Sequence, residues 1–294
     1  MQNRKKSSIL SDATGPVTIR MTNDYLFRAL LQRNNKVLKG LICSLLHLAP
    51  EQIISVVITN PIELGSSIDT KDFLLDIKCL LNNNTIINLE MQVINEHNWP
   101  ERSLSYLCRS FDSLESGEDY AETKSAIQIG ILDFTLFNDM PEFFSTYMIM
   151  NVRNSRIYSS KFRLSVLDLT CIDLATEEDK HFRIDYWASL FKAATWEEIK
   201  LLAQKDSIIE EASNTIYQLT QEEKIRLQCE AREDYYRQQR AIEQRISEKD
   251  TLIAEKDAII AEKDSLIAEL KAKLEAARSG NELNASLQAT EHQT

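Results

Sequence analysis

Residues 71–93, KDFLLDIKCLLNNNTIINLEMQV, decide the fold because they hold two strand-like runs joined by a turn signal. The runs are DFLLDIKCLL and TIINLEMQV, and three asparagines, residues 82–84, separate them. Asparagine tolerates positive φ and can cap its own backbone, so the pattern predicts a β-hairpin. Glu90 and Gln92 would share one face of the second strand, because side chains alternate along a strand.

Two acidic residues in these runs have apolar neighbours on both sides. Asp76 is in the first run and Glu90 is in the second. Burying a carboxylate without a partner is costly, and converging carboxylates are what Mg²⁺ prefers. Asp76 and Glu90 are therefore candidate catalytic and metal-binding residues. The alternative is an exposed strand face on which both acids are solvated partners of Lys78.

The order of these residues carries a family resemblance. An Asp, a hairpin and then Glu-x-Gln resemble the PD-(D/E)XK nuclease core, and NLEMQ after LDIK is similar to its recombination-promoting nuclease (Rpn), or putative transposase, branch. MTNDYLFRALL at 21–31 resembles the opening helix of that family. RSLSYLCRSFDSLESGEDYAETKSAIQIGILDF at 102–134 resembles its later helix and strand. The resemblance covers roughly residues 20–230.

The resemblance implies a fold and a chemistry. The fold would be α/β, with a mixed sheet in a restriction-endonuclease-like core flanked by helices. Asp76 and Glu90 would hold Mg²⁺ (or Mn²⁺) beside a DNA phosphate, with Gln92 as a third catalytic residue. Most relatives carry Lys at that last position. Glutamine can orient water or a phosphate oxygen but cannot titrate, and an ordinary polar strand residue is the alternative interpretation.

Further site candidates lie on two predicted helices. Asp24 would add an acid to the metal site, or would stabilise the dipole of a helix that Thr22 or Asn23 caps. Arg102, Tyr106 and Arg109 recur at helical spacing, which suits contacts to DNA phosphates. Surface ion pairs are the alternative for the two arginines.

The remaining pattern divides the chain into five segments. Residues 1–18 are expected to be a flexible arm, 19–200 the nuclease-like domain and 201–245 a helical extension. Residues 246–276 repeat EKDxLIA-like heptads, and 277–294 are expected to be a disordered tail. The heptads place Ile or Leu at one core position and lysine three times at the other, which predicts a weakly self-associating coiled-coil arm, with a lone solvated helix as the alternative.

Charge and cysteine content narrow the possible functions. The net charge is −11, so a DNA enzyme of this composition needs its basic groups on one face and a metal to bridge acid and phosphate. Scattered cysteines and the absence of a long apolar run indicate a reduced, cytoplasmic protein without a membrane segment. The sequence thus favours a Mg²⁺-dependent DNA endonuclease that forms homo-oligomers. A non-catalytic interaction module on the same fold is the alternative, and a Holliday-junction resolvase is a third possibility.

Overall fold

The structure, a computed structural model, describes residues 9–64, 76–112, 114, 117 and 119–291, with side chains described from residue 10 to residue 276. The beginning of the predicted first hairpin strand, residues 72–75, lies outside the described residues. Within the described residues, no helix combines the length and the apolar composition needed to cross a bilayer.

In the described part of the chain, six strands form one mixed sheet in the order β1-β2-β3-β4-β6-β5. The β2–β3 hairpin is antiparallel, β3, β4 and β6 run parallel to one another, and β5 returns antiparallel at the edge. This arrangement confirms the predicted mixed sheet flanked by helices. The strand bounds are β1 Val56–Ile58, β2 Ile77–Leu81, β3 Thr85–Gln92, β4 Ser125–Leu132, β5 Phe144–Met148 and β6 Phe162–Asp168.

Helices cover both faces of the sheet because the strands alternate between two apolar surfaces. One face joins the main core, in which Phe27, Trp187 and Phe191 are fully or almost fully buried. The other face packs against Trp99 and Leu107 of helix α3. The helix bounds are α1 Asp24–Arg33, α2 Asn35–Leu46, α3 Trp99–Phe111, α4 Glu177–His181, α5 Ile184–Lys192, α6 Trp196–Ala203, α7 Ser207–Gln221 and α8 Glu223–Glu291.

The N-terminal segment is more ordered than the sequence predicts. From Ile9 onward it forms a short 3₁₀ turn and then passes beside α6, where Val17 N donates to Ala194 O at 2.8 Å. Leu10 and Val17 are buried in the main core. The expectation of a flexible arm is therefore wrong for residues 9–18, because apolar side chains anchor them. Residues 1–8 lie outside the described part.

The C-terminal helices also differ from the predicted segments. Helix α7 buries Ile209, Ile216 and Leu219 in the main core, so it belongs to the folded unit and not to an extension beyond it. The chain divides into two compact units, the first ending at Arg237 and the second beginning at Gln238. The backbone of α8 stays helical to Glu291, through most of the segment for which the sequence predicts disorder.

Candidate active site

The predicted hairpin brings Asp76 to the level of Glu90. Asn82 and Asn83 adopt positive φ at the turn, as expected for asparagine. In the β2–β3 register Ile77 faces Leu89, so one further step places Asp76 opposite Glu90. The backbone carbonyl of Asp76 accepts hydrogen bonds from Arg28 and, at 3.0 Å, from Asn60 Nδ2. The half-buried Asp76 is thus fixed beside the sheet by its main chain.

Glu90 is a buried acid, and one of its carboxylate oxygens pairs with the guanidinium of Arg102. Its exposed fraction is 4%. Arg102 Nη2 lies 2.7 Å from Glu90 Oε1, and Gln128 Nε2 lies 3.5 Å from Oε2. Burial raises the pKa of Glu90 to about 7, Arg102 opposes that rise and the negative charge of Asp76 adds to it. A carboxylate in this environment requires a positive partner to stay ionised near neutral pH.

Sequence reasoning missed two buried amides behind Glu90. Asn88 and Gln128 face each other on β3 and β4, and Asn88 Nδ2 donates to Gln128 Oε1 at 3.0 Å. Gln128 in turn reaches Glu90, so a row of polar side chains leads from the middle of the sheet to the acid. The sequence signal for these amides is a polar residue among apolar neighbours, Asn88 in IINLEM and Gln128 in AIQIGIL.

A glycine on β4 makes room for the aromatic ring that covers this region. Gly130 pairs with Glu90 in the β3–β4 register. A methyl group on Gly130 would lie 2.1 Å from Cζ2 of Trp99. The indole therefore packs directly against the backbone of β4, next to Glu90. This close approach is possible only without a side chain at residue 130.

Gln92 lies two residues beyond Glu90 at the end of β3, on the same face of the strand. Its side chain is half-buried, and Nε2 donates to the carbonyl of Ile94 at 2.9 Å. That hydrogen bond orients the amide at the end of the strand. Gln92 cannot take up or release a proton at any ordinary pH.

The structure brings Arg102, Tyr106 and Arg109 together on α3 as the helical spacing predicts. The two guanidinium carbons lie 5.7 and 6.0 Å from the centre of the Tyr106 ring. Arg102 nevertheless turns toward the sheet, where it contacts Glu90 and also Glu96 at 3.3 Å. Its charge is thus used inside the protein, which the sequence did not reveal.

Asp24 is engaged elsewhere. The sequence offered it as a possible additional acid for the metal site, but its buried carboxylate is bound by Arg232 of α8 through Nε, at 2.9 Å, and through Nη2. Of the two predicted caps, Asn23 is the one that caps α1, since its side chain accepts a hydrogen bond from Leu26 N at 3.2 Å. Because a guanidinium occupies both oxygens of Asp24, the expectation that Asp24 adds an acid to the metal site is wrong.

The remaining donors suit a divalent cation. Extending the β2–β3 register by one residue places Asp76 beside Glu90, and Gln92 is on the same face of β3. These are hard oxygen donors of the kind that Mg²⁺ and Mn²⁺ prefer. The guanidinium on Glu90 marks a position that attracts positive charge. Among the residues described, no group of three or more His, Cys, Asp or Glu side chains forms a metal cluster, so amide, backbone or substrate oxygens would complete the coordination.

Comparison with protein families identifies the fold. The family model for PD-(D/E)XK nuclease family transposases matches residues 21–245. The chain belongs to this family. The match begins just before α1, spans the whole sheet of this PD-(D/E)XK protein and ends within α8. Comparison with curated proteins and with solved structures gives no match for the chain.

Proposed function

We propose that this PD-(D/E)XK family protein is a Mg²⁺-dependent DNA endonuclease that hydrolyses phosphodiester bonds. The observation that carries the proposal is the position of Asp76 opposite Glu90, which is buried and paired with the guanidinium of Arg102. Membership of a nuclease family supports the reaction class. The ion could also be Mn²⁺, since both metals accept an oxygen-rich site.

Asp76, Glu90 and Gln92 would have distinct roles in this reaction. Asp76 and Glu90 would hold the ion, which when bound polarises the phosphate and lowers the pKa of the attacking water. Gln92 would orient water or a phosphate oxygen through its amide, because it cannot act as a general base. Gln128 steadies the second oxygen of Glu90 from behind. Tyr106 and Arg109 of α3 would contact DNA phosphates, while Arg102 stays paired with Glu90.

The same proposal includes a cytoplasmic protein that forms homo-oligomers through α8. The five cysteines are free thiols, which fits a reducing compartment. The heptad part of α8 exposes aliphatic side chains along its length, which fits association with a second copy. Paired protomers would present two active sites to two strands of DNA.

A second candidate function is a nuclease-fold interaction module without cleavage. It is favoured by the neutral amide at Gln92 and by the pairing of Glu90 with Arg102, which already neutralises the buried acid. Purified full-length protein incubated with supercoiled plasmid separates the two candidates. Nicking with Mg²⁺ or Mn²⁺ and not with EDTA supports the endonuclease. Intact plasmid under all three conditions supports the interaction module.

A further inference from the structure

The segment of residues 143–167 contrasts in charge with the rest of the protein. It contains no Asp or Glu and carries four cations, Arg153, Arg156, Lys161 and Arg163. Because the whole chain has a net charge of −11 and this segment contributes +4, the remainder has a net charge of −15. A local concentration of positive charge in an acidic protein is the electrostatic signature of a polyanion-binding surface.

The tip of this segment, residues 149–158, is an ordered hairpin that we call the basic hairpin. Met150 and Ile157 form an antiparallel bridge, and Asn151 N donates to Arg156 O at 2.9 Å. Ser155 N closes the turn on Asn151 O at 2.8 Å. All ten residues are exposed. The hairpin therefore projects into solvent with a defined backbone, so its side chains are presented at fixed positions.

Two arginines at the tip are available for a ligand. Within the described part of the chain, neither Arg153 nor Arg156 takes part in an ion pair. Lys161, just beyond the hairpin, is different, since its amine donates to the carbonyls of Ala121 and Thr123 at 3.2 and 2.9 Å. Val152 and Tyr158 add apolar surface beside the arginines, with exposed fractions of 96% and 85%.

A second acid-free stretch shows that composition alone does not create such a surface. Residues 25–50 also hold four cations and no acid. In that stretch Arg28 is buried, Arg33 pairs with Glu222 at 2.8 Å and Lys36 pairs with Glu211 at 3.6 Å. Acidic side chains from elsewhere in the fold thus neutralise two of these cations, and the other two, Arg28 and Lys39, donate to backbone carbonyls. The basic hairpin has no such covering among the described residues.

The hairpin also belongs to the sheet that carries the candidate site. It follows β5, the edge strand, which is separated from β3 by β4 and β6. At usual strand spacing, β5 and the Glu90 strand are about 14 Å apart across the sheet. Along the strands, Glu90 is level with Ser145, whereas the hairpin begins after Met148, toward the opposite end of the sheet. A groove of about 280 Å³ between α3 and this edge is lined by residues of both, including Leu104 and Tyr147. One helical turn of DNA, about 34 Å long, spans this separation if the duplex runs along the sheet from the candidate site toward the hairpin.

We propose that the basic hairpin is a DNA-binding element that holds phosphates through Arg153 and Arg156. The proposal rests on the proposed function, because it assigns the substrate-holding surface of that nuclease. Phosphate contacts fix position and supply affinity without reading sequence. The exposed ring of Tyr158 can stack on an unpaired base, which is tolerant of sequence as well.

The test is DNA binding by the full-length protein in EDTA, measured by fluorescence anisotropy on a short labelled duplex over a range of salt. The variant is Arg153→Ala with Arg156→Ala. The matched control is Lys224→Ala with Arg226→Ala, which removes the same charge from an exposed part of α8 in the first unit. We expect the hairpin variant to bind about tenfold more weakly at low salt and to lower the salt slope by about two. The control should stay within about twofold of wild type.

Other outcomes overturn the proposal. If the hairpin variant binds duplex as wild type does, the surface serves another partner, such as an acidic protein. If the control loses as much affinity as the hairpin variant, the loss comes from the lower net charge of the protein and not from a binding site on the hairpin. Both arginines are exposed, so neither alanine substitution should unfold the protein, and the thermal midpoint of each variant checks this. If the midpoint of the hairpin variant falls, Arg153→Gln with Arg156→Gln replaces it in the binding test.

Plasmid nicking distinguishes this proposal from the nuclease proposal itself. If wild type nicks plasmid in a metal-dependent way and the hairpin variant binds DNA as wild type does, the DNA-binding role of the hairpin is refuted and the nuclease proposal is supported. Weakened binding by the variant, with no nicking by wild type, refutes the nuclease and leaves a DNA-binding hairpin. Tyr158→Ala should weaken binding to a single strand more than binding to duplex.

Discussion

At the scale of single residues, Glu90 links the site to the stability of the fold. Its pKa lies at about 7 in the folded protein, against an ordinary value of 4.5. The folded state therefore holds this proton more tightly than the unfolded chain does. The resulting stabilisation is fully present below pH 4.5 and is lost as the pH rises through 7.

The prediction concerns Glu90→Gln, which cannot titrate. Between pH 4.5 and about 7, in EDTA, wild type should lose on the order of 3 kcal/mol of unfolding free energy relative to this variant. Urea unfolding across that pH range is the measurement. Glu96→Gln, which changes the exposed partner of the same arginine, should keep the wild-type fall. A stability difference between wild type and Glu90→Gln that does not change with pH would refute the raised pKa.

Gly130 is the second residue whose role can be tested alone. Adding a methyl group there brings it within 2.1 Å of Trp99, in a packed layer between α3 and the sheet. We expect Gly130→Ala to cost about 1–3 kcal/mol of unfolding free energy. Trp99→Leu should recover part of that loss in the double variant, because the shorter side chain leaves room. Additive losses in urea unfolding would mean that the two residues do not compete for this space.

At the scale of secondary-structure elements, the contact between α1 and α8 depends on a buried ion pair. Arg232 binds both oxygens of Asp24, and both side chains are buried. We expect Asp24→Asn to cost about 3 kcal/mol, because it removes the buried negative charge that two nitrogens of the guanidinium contact. The exposed Arg33–Glu222 pair is the matched control, and Glu222→Gln should cost less than about 1 kcal/mol.

Below its melting temperature the Asp24→Asn protein should still cleave DNA. Loss of cleavage by a folded variant would return Asp24 to the site.

The heptad part of α8 exposes a long apolar face. Aliphatic side chains in two columns remain about half exposed, among them Leu252, Ile253, Ile259 and Ile260. A single helix cannot bury such a face. Deleting residues 246–294 should therefore lower the oligomer mass and leave the first unit folded. Sedimentation of both proteins at equal concentration is the measurement, and equal masses after allowing for the deletion would contradict it.

Lysines make the expected association weak and tunable. Lys249, Lys256 and Lys263 lie between the two aliphatic columns of the heptads. Their stems can pack along apolar surface, but their charges must remain hydrated. Changing all three to Leu should shift the same sedimentation profile toward the larger species at lower protein concentration. An unchanged profile would show that this face is not the contact surface.

At the scale of the whole molecule, the sequence predicts those features that arise locally. The Asn82–Asn83 turn, the Asn23 cap and the placing of Glu90 near Asp76 follow from neighbouring residues and strand alternation. The family match confirms the fold that the hairpin motif implies. These features need no knowledge of distant contacts.

Long-range pairings could not be predicted in the same way. Arg102 was expected to face DNA, but it neutralises Glu90. Glu90 lies on β3, whereas Arg102 lies on α3, twelve residues later in the chain. Asp24 is bound by Arg232, which is 208 residues away. Burial of α7 and anchoring of residues 10–17 depend on apolar contacts that only the assembled core provides. Periodicity shows which face of an element is apolar, but it does not show which partner covers that face.

The most direct test of the endonuclease proposal compares two acids that contact the same arginine. Glu90 lies 2.7 Å and Glu96 lies 3.3 Å from Arg102, but only Glu90 is buried opposite Asp76. The measurement is the rate of supercoiled-plasmid nicking in Mg²⁺ by wild type, Glu90→Gln and Glu96→Gln. We predict that Glu90→Gln lowers the rate at least about a hundredfold, while Glu96→Gln stays within about threefold of wild type. A folded Glu90→Gln protein that nicks DNA as fast as wild type would contradict the proposed site.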